Sequence, residues 1–333
     1  MFRKFLHGLL CLTMVAGVCV SEASAAEDYG KYKLKFSTVL SENSSWYKLG
    51  KSISARMAEE TGGKVTINVF PNEQLSGGNQ PKGLELLMSG STEMDLRSGM
   101  LWATVDKRMG AISLPFFYKN FEQIDASFNG EGGKELKAVM EKHGIKLFGF
   151  AEGGWRQMFT SKKAVTALDQ IKGMKFRLAP VPMNMDTFKA LGANPLIMNW
   201  SEMFTGLQQG TVDGMECPIS AAYESSVHEV CKNSTLWEYS YDCGLLSMNL
   251  KLWNSFPPKL QEIFTRVVEE EIAKQIKSER AYNKELEATM SEKFGVTFHK
   301  LSDSEREKFA AAAKVVVDNF EKEFGKEFVD KFR

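Results

Sequence analysis

The sequence predicts an α/β fold of two lobes, with mixed, mostly parallel sheets, a long helix crossing both lobes, and a cleft between them. Three observations carry this. Apolar residues switch back and forth between period-2 and period-3.6 patterns along nearly the whole chain. The 333 residues exceed what one compact core usually supports, so two lobes of about 150 residues are expected. One apolar stripe also persists for about 37 residues, roughly 55 Å at 1.5 Å per residue, which is longer than a lobe is wide.

The elements follow in order. Tyr32 to Val39 alternates as a strand, and Ser45 to Thr61 carries Trp46, Leu49, Ile53 and Met57 at helical spacing. Gly62-Gly63 stops that helix before a strand from Lys64 to Phe70. Gly83 to Ser89 reads as a helix, Glu93 to Arg97 as a strand, and Ile112 to Phe117 as an extended piece. Phe121 to His143 holds one or two helices broken at Gly130 to Gly133, followed by a strand from Ile145 to Phe150. This βα alternation implies a mostly parallel sheet covered on both faces.

A second unit opens after Gly153-Gly154. Arg156 to Thr160, Lys175 to Leu178 and Asn194 to Met198 read as strands, with a helix from Pro182 to Leu191. Ser201 to Gln209 is helical with Ser201 as its cap, Val212 to Glu216 is extended, and Glu238 to Asn249 is a β-rich return. Pro257-Pro258 opens the long helix, whose stripe runs from Leu260 through Ile272 and Ile276 to Phe294. A capping box of Ser302 and Glu305 starts the last helix, with Phe309, Ala313, Val316 and Phe320 inward. The expected division is 26–152 plus about 243–275 for the first lobe, and 153–242 plus about 276–333 for the second. Several strands, rather than one tether, should join them.

Residues 1–25 read as a cleaved export signal. Arg3 and Lys4 give a positive start, Leu9 to Val20 an apolar stretch, and Ala23-Ser24-Ala25 a small-residue cleavage site. The mature chain then begins at Ala26 and is periplasmic. A lipid anchor on Cys19 is the lesser option, because Val18 stands where a lipoprotein signal wants a small residue. No later segment reaches about 18 uncharged apolar residues. Cys217, Cys231 and Cys243 remain; they are either three buried small hydrophobes or include a Cys231–Cys243 bond.

Catalytic chemistry is scarce. His143, His228 and His299 stand alone, in no metal-ligand spacing, and no Gly-x-Ser-x-Gly elbow occurs. Gly130, Gly132, Gly133 and Lys134 miss the phosphate-loop spacing, and Glu135 replaces its hydroxyl. No dinucleotide fingerprint opens either lobe, so neither cofactor nor metal is expected. Basic and acidic residues balance at 42 each, against a nucleic-acid partner. An exported, non-catalytic, two-lobed chain is most economically a receptor that closes on a small molecule. A receptor for another transporter or a sensor, and an enzyme using a cleft carboxylate, are the rivals.

Gly153-Gly154-Trp155-Arg156-Gln157-Met158-Phe159-Thr160-Ser161-Lys162, then Ile171-Lys172-Gly173-Met174-Lys175-Phe176-Arg177, then Phe188 to Pro195, then Ser201 to Gly214 occur in one ordered series. Upstream stand Phe36-Ser37, Ser41-Glu42-Asn43 and Phe70 to Leu75. Together these resemble the substrate-binding proteins of tripartite ATP-independent periplasmic (TRAP) transporters, of the dicarboxylate-receptor type. The resemblance covers nearly the whole mature chain. It implies a two-lobed periplasmic-binding-protein fold, a monomer, and delivery of an organic acid to a TRAP membrane permease.

The resemblance assigns the carboxylate clamp to Arg177, whose guanidinium fork suits a carboxylate; an interlobe salt bridge is the alternative. Arg156 is the second candidate, or else a structural strand arginine. Relatives show Gln-Glu-Asn-Pro where this chain has Met215-Glu216-Cys217-Pro218, which puts one ligand hydrogen bond in doubt because Cys is a weak donor. Ser45, Trp46, Met100, Trp102, Trp155, Met215, Cys217, Tyr239 and Tyr241 fall in segments that line the cleft in relatives. Such a lining favours an acid with an aromatic or apolar body, unless most of these rings belong to the core.

Overall fold

The computed structural model describes residues 29–333. The predicted signal, its cleavage site and Cys19 lie outside the described residues.

The first lobe opens with β1 (Tyr32–Thr38), α1 (Ser45–Glu60) and β2 (Val65–Phe70). Ser44 caps α1, its hydroxyl accepting from the Tyr47 N–H at 3.1 Å, and Trp46, Leu49, Ile53 and Met57 are buried along one face. Gly62 and Gly63, at φ +57° and +78°, end it in the left-handed region that side chains avoid. Helix α2 (Gln80–Ser89) and β3 (Met94–Ser98) follow. Then come α3 (Phe121–Asn129) and α4 (Glu131–Lys142). The break is narrower than the glycine run suggests, falling at Gly130 alone. Gly133 lies inside α4, where a Cβ would stand 1.8 Å from the Phe128 carbonyl oxygen, so its missing side chain lets the two helices meet. Ile112 to Phe117 is not a strand. Lys107–Ser113 is a 3-10 turn, and Pro115, without an N–H, precedes Phe116 at φ +53°.

Two strands expected as separate pieces are one. β4 (Ile145–Thr160) runs unbroken through both lobes beside β8 (Asn233–Asn249), longer by one residue. Between them in sequence lie β5 (Lys175–Leu178), α5 (Pro182–Ala190), β6 (Asn194–Ile197), α6 (Trp200–Gln208), β7 (Gly214–Pro218), α7 (Ile219–Glu224) and α8 (Val227–Val230). Asn199, not Ser201, is the residue before α6; the Ser201 hydroxyl instead donates to Gly78 at 3.4 Å. The chain closes with α9 (Leu250–Ser255), α10 (Pro258–Phe294), β9 (Thr297–Lys300), α11 (Asp303–Phe324) and α12 (Lys326–Asp330).

A single nine-stranded sheet results, ordered β2-β1-β3-β8-β4-β7-β5-β6, with β9 on β8. Its outer pairs are parallel, and the β3–β8, β8–β4 and β4–β7 pairs antiparallel. The two ends of β4 serve different lobes: Ile145 to Ala151 pairs with the end of β8 that carries β3, and Arg156 to Thr160 with β7. The register slips between Glu152 and Gly154, where the halves meet. Helix α10, 37 residues long, packs on α1 at one end and on α7 and β9 at the other. Its buried face carries Leu260, Phe264, Val267, Ile272, Leu286 and Met290. α11 likewise changes partners, placing Phe309 and Ala313 in the second lobe's core while Phe320 joins the first. The last residues, Val329 and Phe332, return to the first lobe beside α4.

Candidate functional site

The sheet's crossover strands leave a cavity where the lobes meet. Its void measures about 560 Å³ counting the mouth, of which about 50 Å³ can be swept by the centre of a water molecule. Its walls include Ser45, Trp46, Met100, Arg156, Arg177 and Cys217, six of the residues singled out in the sequence.

Arg156 projects from β4 and is consumed by its neighbours. Its Nε and Nη2 donate to the Glu216 carboxylate, Nη2 also to the Glu216 carbonyl at 2.8 Å, and Nη1 to Asp242. Four of the five guanidinium N–H groups are thereby engaged. Burial opposes its charge, but the carboxylates of Glu216 and Asp242 outweigh that and hold the pKa well above its ordinary value. Tyr239 completes this network from behind, donating to Glu216 at 2.7 Å.

Arg177 is the opposite case. It is 1% exposed on β5, with Nε donating to the Met198 carbonyl at 3.0 Å and the guanidinium 5.3 Å from the Trp200 ring. No carboxylate pairs with it among the described residues, and Nη2 is buried without a partner. Burial lowers its pKa to about 10, with the Glu216 charge partly offsetting and Arg156 adding to the depression. An interlobe salt bridge, the structural alternative for this residue, is absent. A buried, unpaired guanidinium is costly unless an anion completes it.

Ser45 and Trp46 enter from the start of α1. The Trp46 indole donates to the Glu152 carbonyl at 2.9 Å, and Gln275 bridges Ser45 and Glu152. Gly153 lies in the wall where a Cβ would come within 2.8 Å of the Asp242 carbonyl oxygen, so the strands approach closely there. Cys217 is wholly buried, and burial pushes its thiol pKa up. Cys217, Cys231 and Cys243 are all free. The Cys231–Cys243 bond is excluded, because the two residues belong to different cores.

Five residues singled out in the sequence do not reach the cavity. Met215 is wholly buried in the core. Tyr239 packs 4.4 Å from Trp237 and acts on the cavity only through Glu216. Tyr241 belongs to the first lobe's core, and Trp155 packs against it and Phe121. Trp102 is core as well. Strand alternation accounts for two of these: Arg156 and Asp242 face the cavity, so their neighbours Trp155 and Tyr241 point to the other face.

Other cavity residues escaped sequence reasoning. Gln80, Ser98, Trp200, Ser220, Asp242 and Glu279 all line it. Glu279 had a readable signal, since Glu271, Gln275 and Glu279 recur every four residues on the buried face of α10. Polar groups on an apolar stripe ask for partners.

Among the described residues, no group of three or more His, Cys, Asp or Glu side chains converges to hold a metal, and no helix is long and apolar enough to cross a membrane.

Comparison with known proteins places this geometry. Residues 36–323 match the family described as bacterial extracellular solute-binding protein, family 7. The C4-dicarboxylate-binding periplasmic protein of Vibrio cholerae is 27% identical over 96% of each chain, and the 2,3-diketo-L-gulonate-binding periplasmic protein of Escherichia coli 28% identical over 71% of this chain and 72% of its own. A TRAP periplasmic solute-binding protein from Ralstonia eutropha, solved with (S)-2-acetolactate, superposes with a TM-score of 0.85 at 29% identity, covering 90% of this chain and 97% of that one. One from Sulfurospirillum deleyianum, solved with succinate, gives 0.85 at 27%, covering 91% and 98%. These relatives bind solutes rather than transform them, and with a family match spanning most of its length this chain belongs to the bacterial extracellular solute-binding proteins of family 7, the substrate-binding proteins of TRAP transporters.

Proposed function

We propose that the cavity captures a small organic acid through Arg177 and that the protein hands this acid to a TRAP permease in the membrane. The observation that carries the reading is the buried Nη2 of Arg177, without a partner, on a residue that lines the cavity. A carboxylate there would convert a costly isolated charge into a charge-assisted, bidentate pair. Ser45, Trp46, Met100 and Cys217 would contact the ligand body, with Arg156 contributing at most its one remaining N–H. Trp155, Met215, Tyr239 and Tyr241 are assigned to support of the walls. The lobes would be 26–152 with about 243–275, and 153–242 with about 276 onward save the last helix, turning about Glu152 to Gly154. The mature receptor would be a periplasmic monomer released from its signal.

The ligand's body is proposed to be small and non-aromatic. The rings on which an aromatic preference rested are largely core, and the narrow void favours a compact acid. The acids named for relatives, among them succinate, acetolactate and galactonate, are non-aromatic too. A thermal-shift screen of keto, hydroxy, aliphatic, aromatic and sugar acids tests the reading, followed by calorimetry on Arg177→Ala. At least one acid should raise the melting temperature, and the substitution should cost about 2–3 kcal/mol of affinity. No shift with any carboxylate, or unchanged affinity in the variant, would sink it.

A further inference from the structure

The charges on the cavity wall constrain the ligand more tightly than its class. Among the described residues that line it, the ionisable groups besides Cys217 are Arg156, Arg177, Asp242 and Glu279. Arg156 is already shared between Glu216 and Asp242, so Arg177 is the one uncommitted cation. A ligand with a single carboxylate exhausts it.

The wall contributed by α10 has the opposite character. Glu279 is 2% exposed and stands on the cavity. Its carboxylate accepts from Asn283 at 3.0 Å, and Ser45 and Ser220, both themselves cavity residues, favour its charged form. Behind it sits Glu224, largely buried, with Oε1 lacking a partner. Burial raises the pKa of both, Glu279 raises that of Glu224 further, and Lys48, an exposed residue outside the cavity, pulls both down. A second anionic group of the ligand placed on this wall would meet Glu279 and no cation. A hydroxyl or ammonium would instead find an acceptor in Glu279 and its serines.

We infer that the cavity selects a monocarboxylate bearing an O–H or N–H donor that reaches Glu279, and discriminates against dicarboxylates. The inference rests on the organic-acid reading above, and narrows it.

The mature protein is titrated by calorimetry at pH 7.5 with propanoate, lactate, glycerate, gluconate, alanine, succinate and malate. Hydroxy and amino monocarboxylates fall into separate arms, so the same panel tells which donor Glu279 takes. The best donor-bearing monocarboxylate should bind at least about tenfold more tightly than succinate or malate, since an uncompensated like charge costs more than that factor. Propanoate, which lacks the donor, should also be weaker. Glu279→Gln should move the succinate-to-monocarboxylate affinity ratio toward succinate by about tenfold, a change that simple loss of fit would not produce. Succinate or malate binding best in the wild-type protein overturns the inference while leaving the receptor reading intact; so does an unchanged ratio in Glu279→Gln. Should that variant fail to fold, the wild-type ranking still decides. Absence of binding by every acid, in contrast, removes the receptor reading itself.

Discussion

Arg156 and Arg177 line the same cavity in opposite electrostatic states: Arg156 is held by the carboxylates of Glu216 and Asp242, whereas Arg177 has a carbonyl, an indole face and no carboxylate. One arginine is structure and the other is available. The arrangement separates a group bound into the β4–β7–β8 strands from a group left without an anionic partner.

The first prediction follows from the unpaired charge. Arg177→Met keeps much of the side-chain volume and removes the buried guanidinium, so the unliganded protein should melt at the same temperature or higher, by on the order of 1–2 kcal/mol of stability. The same variant should lose the ligand-induced rise in melting temperature. A variant several degrees less stable without ligand would mean that the Met198 and Trp200 contacts outweigh the desolvation of the charge.

Arg156 should behave in the reverse way. Glu216→Ala strips the carboxylate that engages two of its nitrogens and should cost about 3–5 kcal/mol in denaturant unfolding, as for one partner of a buried pair. Removing both charges together, in Arg156→Met with Glu216→Leu, should cost less than Glu216→Ala alone. Additive losses would show that the network is not coupled.

These two arginines also show how far the sequence could be read. Strands and helices were legible where an apolar period ran uninterrupted, as in α1, β5 and the 37 residues of α10. The extended reading of Ile112 to Phe117 failed because a short apolar run around a proline has no period long enough to separate strand from 3-10 turn. The separate strands at Ile145 and Arg156 were one, since a glycine pair that looks like a loop serves here as a bulge in a continuous strand. Which face of β4 and β8 meets the cavity depends on partners distant in sequence. Trp155 and Tyr241 therefore looked as eligible as Arg156, although strict alternation forbids adjacent residues from sharing a face.

Stability should fall as pH rises through neutrality. Glu73 and Glu152 are raised to about 7 and Glu224 to about 8, in each case chiefly by burial. A carboxyl raised in the folded state binds more protons there than in the unfolded chain. Its contribution is thus complete below the unfolded value of about 4.5 and is lost as pH climbs through 7 to 8. The melting temperature of the unliganded protein should drop by several degrees between pH 5.5 and 8.5. Glu224→Gln should flatten part of that slope, by on the order of 1–2 kcal/mol. A flat profile, or one that rises, would contradict the burial of these groups.

The three thiols give a test of packing. Cys217, Cys231 and Cys243 are free and buried, and burial raises each thiol's pKa, leaving little thiolate to react. Native mature protein should react negligibly with Ellman's reagent over minutes, and all three should titrate in guanidinium without prior reduction. Fewer than three in denaturant would reveal a bond that the separate cores of Cys231 and Cys243 do not permit.

The close approach of β4 to β8 at Gly153 is the last point of leverage. Gly153 sits in the slipped register between β4 and β8, where an added Cβ would stand 2.8 Å from the Asp242 carbonyl oxygen, and backbone cannot rotate aside as a side chain can. Gly153→Val should therefore push β8 away at the one place where Asp242 must reach Arg156 and where both line the cavity. The expected loss is about 2–4 kcal/mol of stability, in the range for overpacking a tight contact. Because the displaced wall belongs to the cavity, ligand affinity should fall with it, whereas Gly62→Ala, at a helix end with nothing within 4 Å, should lower stability slightly and leave affinity unchanged. Equal effects of the two substitutions on affinity would mean that the approach of β4 to β8 does not shape the binding wall.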